Sequence, residues 1–229
     1  MNNFSTVARH SLVTALLASL AACGGGGGSD SPPVSGNPPA PAPTPPPPPP
    51  PPPPAVVVPP VSPTVQDITD GHTVGTSRWA NAQTDGSPKG DLSCVLNPPQ
   101  TFEFHAHLSI LVNNEPQAIP AGLGASPQTT THCFYAIHDH DSSGMIHVTP
   151  SAAGTFTLGQ LFQVWGQPLS NTNVAGITGL PIEIFVTDNG TVTKVEEADW
   201  SNIELKSHRE ITIGLGTSVA EIPNFTWSN

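Results

Sequence analysis

Basic residues are scarce. The 229-residue chain carries six Lys and Arg against 17 Asp and Glu, a formal net charge of −11. A body this acidic repels nucleic acid and anionic lipid head groups and attracts cations. Cysteine is scarce as well, with only Cys23, Cys94 and Cys133. Aromatic residues make up 6% of the chain, largely because a proline-rich stretch dilutes them. The apolar run from Leu12 to Leu20 falls short of the roughly 20 residues that a membrane-spanning helix needs. No Gly-x-Ser-x-Gly elbow, His-Glu-x-x-His helix or phosphate loop occurs, so the hydrolase and nucleotide chemistries those motifs carry have no foothold.

What is present starts with an export signal. Residues 1–22 place Arg9 ahead of that apolar run and end in small residues, the pattern of a secretory leader. Leu20-Ala21-Ala22-Cys23 resembles the bacterial lipobox. The resemblance implies cleavage before Cys23 and acylation of that cysteine. Each CH₂ of a buried acyl chain strengthens membrane attachment by about 0.8 kcal/mol. Residues 23–64 follow as a Gly/Pro-rich disordered tether, with five successive glycines and ten successive prolines at 45–54. Such a run lacks amide donors and apolar side chains, so it stays extended as polyproline II. Residues 65–229 remain for one His-rich globular domain with its own core.

With Cys23 set aside, two cysteines remain. In an exported chain Cys94 and Cys133 are expected to form a disulfide. The competing reading makes Cys133, beside His132, a thiolate metal ligand.

Within the domain, residues 65–100 lack periodicity. In "TFEFHAHLSILVN", residues 101–113, Phe102, Phe104, Ala106, Leu108 and Ile110 alternate with Glu103, His105, His107 and Ser109. That is the period of a half-buried strand. "CFYAIHDH" reads as a second strand, "DSSG" as a tight turn in which Asp141 bonds downstream amides, and "MIHVTP" as the return strand. Leu158, Leu161, Phe162 and Trp165 are spaced as on a helix, with Thr157 as N-cap and Gly166 as the stop. "PIEIFVTDNGTVTKV" predicts a hairpin turning at Asp-Asn-Gly, and "NIELKSHREITIGLG" a last strand. The fold class is therefore α+β, mostly antiparallel, with one principal helix. The element order of the C-terminal half resembles the β-grasp layout.

Six of the nine histidines lie between 105 and 147: His105, His107, His132, His138, His140 and His147. Residues two apart on a strand share a face. His105 and His107 therefore point one way, as do His138 and His140, and the hairpin sets His147 across from the latter pair. Pairing of these strands brings five imidazoles into one volume. A divalent metal relieves the cost of crowding them, and imidazole-rich sites suit Cu²⁺ or Zn²⁺, or Fe²⁺ when a carboxylate joins. Asp139 points away from its neighbours on a regular strand unless it swings in where the turn begins, and Asp141 serves the turn. With Glu103 and His132, these two are the expected supporting residues or further ligands. His132 reads as a loop or supporting residue, and His72 and His208 as isolated.

"FHAHLSILVN", "IPAGLG", "IHDHDSSGMIHV" and "FTLGQLFQVWG", in this order, resemble a set of uncharacterised exported bacterial and archaeal proteins. Those proteins carry H-A-H-L, H-T-H-D-x-x-G-x-I-H-x-E and a Leu-Gly-Phe-Trp helix. The resemblance spans about residues 101–166 and implies a shared site, not a reaction. Asp139 stands where Thr is usual and Thr149 where an acid is usual.

Three functions fit these features. The first is a membrane-tethered extracytoplasmic lipoprotein, on the periplasmic side or the cell surface, that binds Cu or Zn through His105, His107, His138, His140 and His147. The second is a metal-dependent hydrolase or oxidase with Glu103 as base. The third is an envelope interaction module without metal. A lipid membrane and a metal ion are the expected partners. Nucleic acid is not, and no protein partner is indicated.

Overall fold

The computed structural model describes residues 47–52, 55–68, 73–80, 82, 84–96, 98, 101–126 and 133–227. The leader, Cys23, most of the tether, His72 and His132 lie outside them. The chain divides into two units, residues 1–52 and 53–229. In the first, residues 47–52 are exposed and carry no helix or strand. In the second, the first strand, β1, spans Val61–Ile68. It begins ahead of residue 65, in the stretch expected to be tether.

The expected long strand is β2, Phe104–Val112. Asn113 and Asn114, both at positive φ, turn it into β3, Glu115–Ala118. "CFYAIHDH" is not one strand. Cys133–Phe134 pairs with Val95–Leu96, and the chain then breaks before β4, Ile137–His138. At the break Tyr135 is fully buried, its hydroxyl bonded to Thr84 and to the Ser87 carbonyl. β5, Met145–Val148, pairs antiparallel with β4 and with β2.

Helix α1 spans Leu158–Trp165 and starts and stops where its sequence predicts. Thr157 and Gln160 cap each other reciprocally, and Gly166 ends the helix at φ 71°. Such a box satisfies two of the amides that a helix N-terminus leaves unpaired. β6, Ile182–Asp188, and β7, Thr191–Val195, form the expected hairpin. β8, Glu210–Leu215, inserts between β6 and β2 and runs parallel to β2. It is not the last strand. β9, Ile222–Trp227, follows and pairs in parallel with β1.

The architecture is α+β, mainly antiparallel β with one main helix. The central path runs β7–β6–β8–β2–β3. Phe104–Val112 and Glu210–Leu215 run parallel at its centre, β4 and β5 branch from β2, and Thr76–Ser77 extends the path beyond β3.

The alternation within β2 positions the site. Ala106, Leu108 and Ile110 join Leu158, Leu161, Phe162, Ile211 and Ile213 in the main core under α1. The opposite face carries His105, His107, Ser109 and Leu111. Over part of it lie β1 and β9: Ile222 packs on Leu111 and Phe185, and Phe225 packs with Ile68 and Met145. Where this second layer ends, the sheet face opens onto the histidines.

Candidate metal centre

Cross-strand register builds a row of imidazoles. His105 of β2 lies opposite His147 of β5, and His147 lies opposite His138 of β4. Three histidines thus occupy one rung across three adjacent strands, where directly opposed Cβ atoms stand about 5 Å apart. His140, two residues beyond His138, closes over the row. Ring centroids are 4.4 Å apart for His105–His147, 4.1 Å for His140–His147, 5.6 Å for His138–His147 and 5.3 Å for His138–His140.

Glu103 completes the group. It lies just before β2 on the His105 side, and its Oε1 is 3.3 Å from His105 Nε2 and 3.4 Å from His147 Nδ1. Donor atoms of Glu103, His105 and His147 all lie within 4.8 Å of one another, so this set could hold a metal ion. Such O···N separations suit donors about 110° apart around an ion about 2.0–2.1 Å away, the tetrahedral angle. Partial burial pushes the Glu103 carboxyl up, but hydrogen bonds from His147 and His105 outweigh it and hold the carboxyl below its ordinary value.

His138 and His147 are buried, at 6% and 5% exposure, whereas Glu103 and His140 are exposed. Burial, followed by the proximity of His140 and His147, pushes the His138 imidazole down to about 4. A neutral ring at physiological pH is the form that ligates. His138 Nδ1 donates to the Tyr135 carbonyl at 3.2 Å, which fixes the tautomer and leaves Nε2 as its ligating nitrogen.

His107 does not join the row, although it shares a strand face with His105. It is 1% exposed, and its ring packs on Phe225 at 4.2 Å and Trp227 at 6.5 Å. Its Nε2–H donates to the Ser143 carbonyl at 3.0 Å, and the Ser109 hydroxyl, at 3.5 Å, donates to Nδ1. Burial pushes its imidazole down to about 4. β9 covers it, and its alternation with His105 gives no warning of that cover.

The aspartates work behind the site. Asp139 points to the far side, where its Oδ1 accepts from the Leu123 amide at 2.8 Å. Burial pushes its carboxyl up to about 8, against the hydrogen bonds from Leu123 and Gly122. Asp139 therefore pins the "IPAGLG" loop to the segment that carries His138 and His140. Gly124 allows the loop to sit there: at φ +73° a Cβ would lie 2.3 Å from the Ile137 carbonyl oxygen. Asp141 Oδ1 accepts from the Ser143 amide at 2.8 Å and holds the turn, as expected. Cys94 and Cys133 form a disulfide with Cα atoms 5.3 Å apart, which removes Cys133 from the ligand candidates.

Sequence reasoning missed the cover of β9 and the backbone carbonyl of Tyr135, neither of which leaves a side-chain signal in a motif. It weighed Glu103 as a base, a supporting group or a possible ligand, and the same-face spacing with His105 was the clue to its place in the donor set. Comparison of the chain with family models, curated proteins and solved structures finds no match.

Proposed function

We propose that this chain is an exported, lipid-anchored protein of the cell envelope, on the periplasmic side or the cell surface, that binds Cu²⁺ or Zn²⁺ through Glu103, His105 and His147. One observation carries the reading: a carboxylate oxygen and two imidazole nitrogens, from adjacent strands, meet at separations that one ion satisfies. Imidazole and carboxylate donors without thiolate suit these two metals and accommodate Fe²⁺. The lipobox-like Leu20-Ala21-Ala22-Cys23 and the proline run support the anchor and tether. The net charge of −11 favours cations. The motif order supports grouping the chain with the exported proteins it resembles. Glu103, the base on which an enzyme reading relies, bonds two rings, and this favours binding over catalysis.

The test is metal content of the full chain made without a polyhistidine tag and titrated with Zn²⁺ and Cu²⁺. Stoichiometric metal is expected, with E103Q and H105A each weakening binding by about 100-fold or more, the upper end of what even supporting groups contribute. A wild-type chain that takes up neither ion at micromolar concentration overturns the proposal.

A further inference from the structure

We infer that the row seats a second ion, held by His138 and His140 beside the Glu103–His105–His147 position. This inference rests on the metal-binding reading above. Donors to one ion at about 2.1 Å can be no more than about 4.2 Å apart, twice the bond length. Glu103 meets that limit with both His105 and His147. His138 and His140 fall outside even the looser 4.8 Å set that those three form.

Ring orientation points the same way. His105 meets His147 edge-on, at an interplanar angle of 76°, with Glu103 touching a nitrogen of each. His138 and His140 instead stack on His147, at 21° and 22°. An imidazole ligates through its edge, and these two rings meet His147 face to face rather than edge-on.

His138 and His140 are suited to act as a pair. They are two residues apart with centroids 5.3 Å apart. The Tyr135 carbonyl already holds His138 Nδ1, so His138 offers Nε2. His140 is exposed, so solvent can fill the remaining coordination positions. Two imidazoles without a carboxylate make the weaker position, and the charge of the first ion weakens it further. The acidic body offsets part of that repulsion.

The full chain, without a polyhistidine tag, is titrated with Zn²⁺ and its stoichiometry read by native mass spectrometry, with Co²⁺ absorption reporting on each position. Two ions per chain, taken up in two resolved steps, are expected. H140A removes an exposed side chain that stacks on His147; it lowers the count to one, with the stronger step retained. H138Q does the same, and its circular dichroism reports whether the fold survives. H105A removes the stronger step and leaves the weaker. A wild-type chain that binds one ion overturns this inference, whether that ion needs all five residues or only Glu103, His105 and His147. It leaves the proposed function standing. Binding of no ion overturns both.

Discussion

Glu210 opens β8 directly beside His107 of β2, under the cover of β9. It is 9% exposed. Burial pushes its carboxyl up to about 7, although the Trp227 side chain bonds it. A carboxyl whose folded pKa exceeds its unfolded value holds its proton better in the folded state. Below the unfolded value of 4.5 both states are protonated and folding incurs no penalty. Between there and about 7 the penalty grows, and above 7 it is complete, at about 3 kcal/mol from the usual 1.36 kcal/mol per unit. Glu210 therefore lowers stability as pH rises through this window; Asp139, pushed up to about 8, acts in the same direction, and His107 and His138, pushed down to about 4, act against it. Denaturant titrations of wild type and E210Q from pH 4 to 8 isolate the Glu210 part: relative to the variant, wild type should lose about 3 kcal/mol as pH rises from 4.5 to about 7. A difference between the two that stays constant with pH would assign the dependence to the other groups. Thr149 makes a second point at this scale. One step along the register that pairs Phe104 with Val148, position 149 lies across from position 103. The resemblance leads one to expect an acid at 149. This chain has a buried Thr there whose hydroxyl lacks a partner among the described residues, and the carboxylate reaches the rings from Glu103 on the neighbouring strand.

At the scale of elements, legibility followed the range of the interactions. The α1 caps were legible because Thr157, Gln160 and Gly166 act within a few residues. The alternation of β2 correctly assigned its two faces. It could not show that His107 is covered and His105 open, because the cover comes from Phe225 and Trp227 at the far end of the chain. The break at Tyr135 was hidden for the same reason: an apolar run does not record that its two halves pair with different strands. The hairpin that carries His147 offers a test. Gly144 sits at φ +83°, and a Cβ there would lie 2.5 Å from the Leu108 carbonyl oxygen and 2.9 Å from His107 Nε2. Its own carbonyl accepts from the Leu108 amide at 2.9 Å. G144A combines a left-handed non-glycine residue with a backbone clash and should cost about 2–4 kcal/mol. Shifting β5 against β2 also moves His147 relative to Glu103 and His105. Chemical denaturation and Zn²⁺ titration of the same variant should both respond. Lost stability with unchanged affinity would mean that the turn does not position His147.

For the whole molecule, the question is what keeps the two halves of the site in register. Glu103 and His105 lie inside the loop that the Cys94–Cys133 disulfide closes, at a sequence separation of 39. His138, His140 and His147 lie just beyond its second cysteine. A cross-link over a loop of this size stabilises the fold by about 4 kcal/mol on the chain-entropy model. For a unit of this size, removing it in C94A/C133A should lower the melting temperature by roughly 10 °C. A metal ion bridging the same strands in the folded chain alone opposes that loss. At one hundred times its dissociation constant, bound Zn²⁺ adds about 2.7 kcal/mol. Zn²⁺ should therefore recover roughly two-thirds of the lost stability in C94A/C133A and clearly less in C94A/C133A/H105A, which lacks the stronger position. Thermal melts of both variants, with and without the ion, measure the disulfide and the site on one scale. Equal melting temperatures with and without Zn²⁺ in C94A/C133A would mean that the strands which carry the imidazoles are held in place by packing alone.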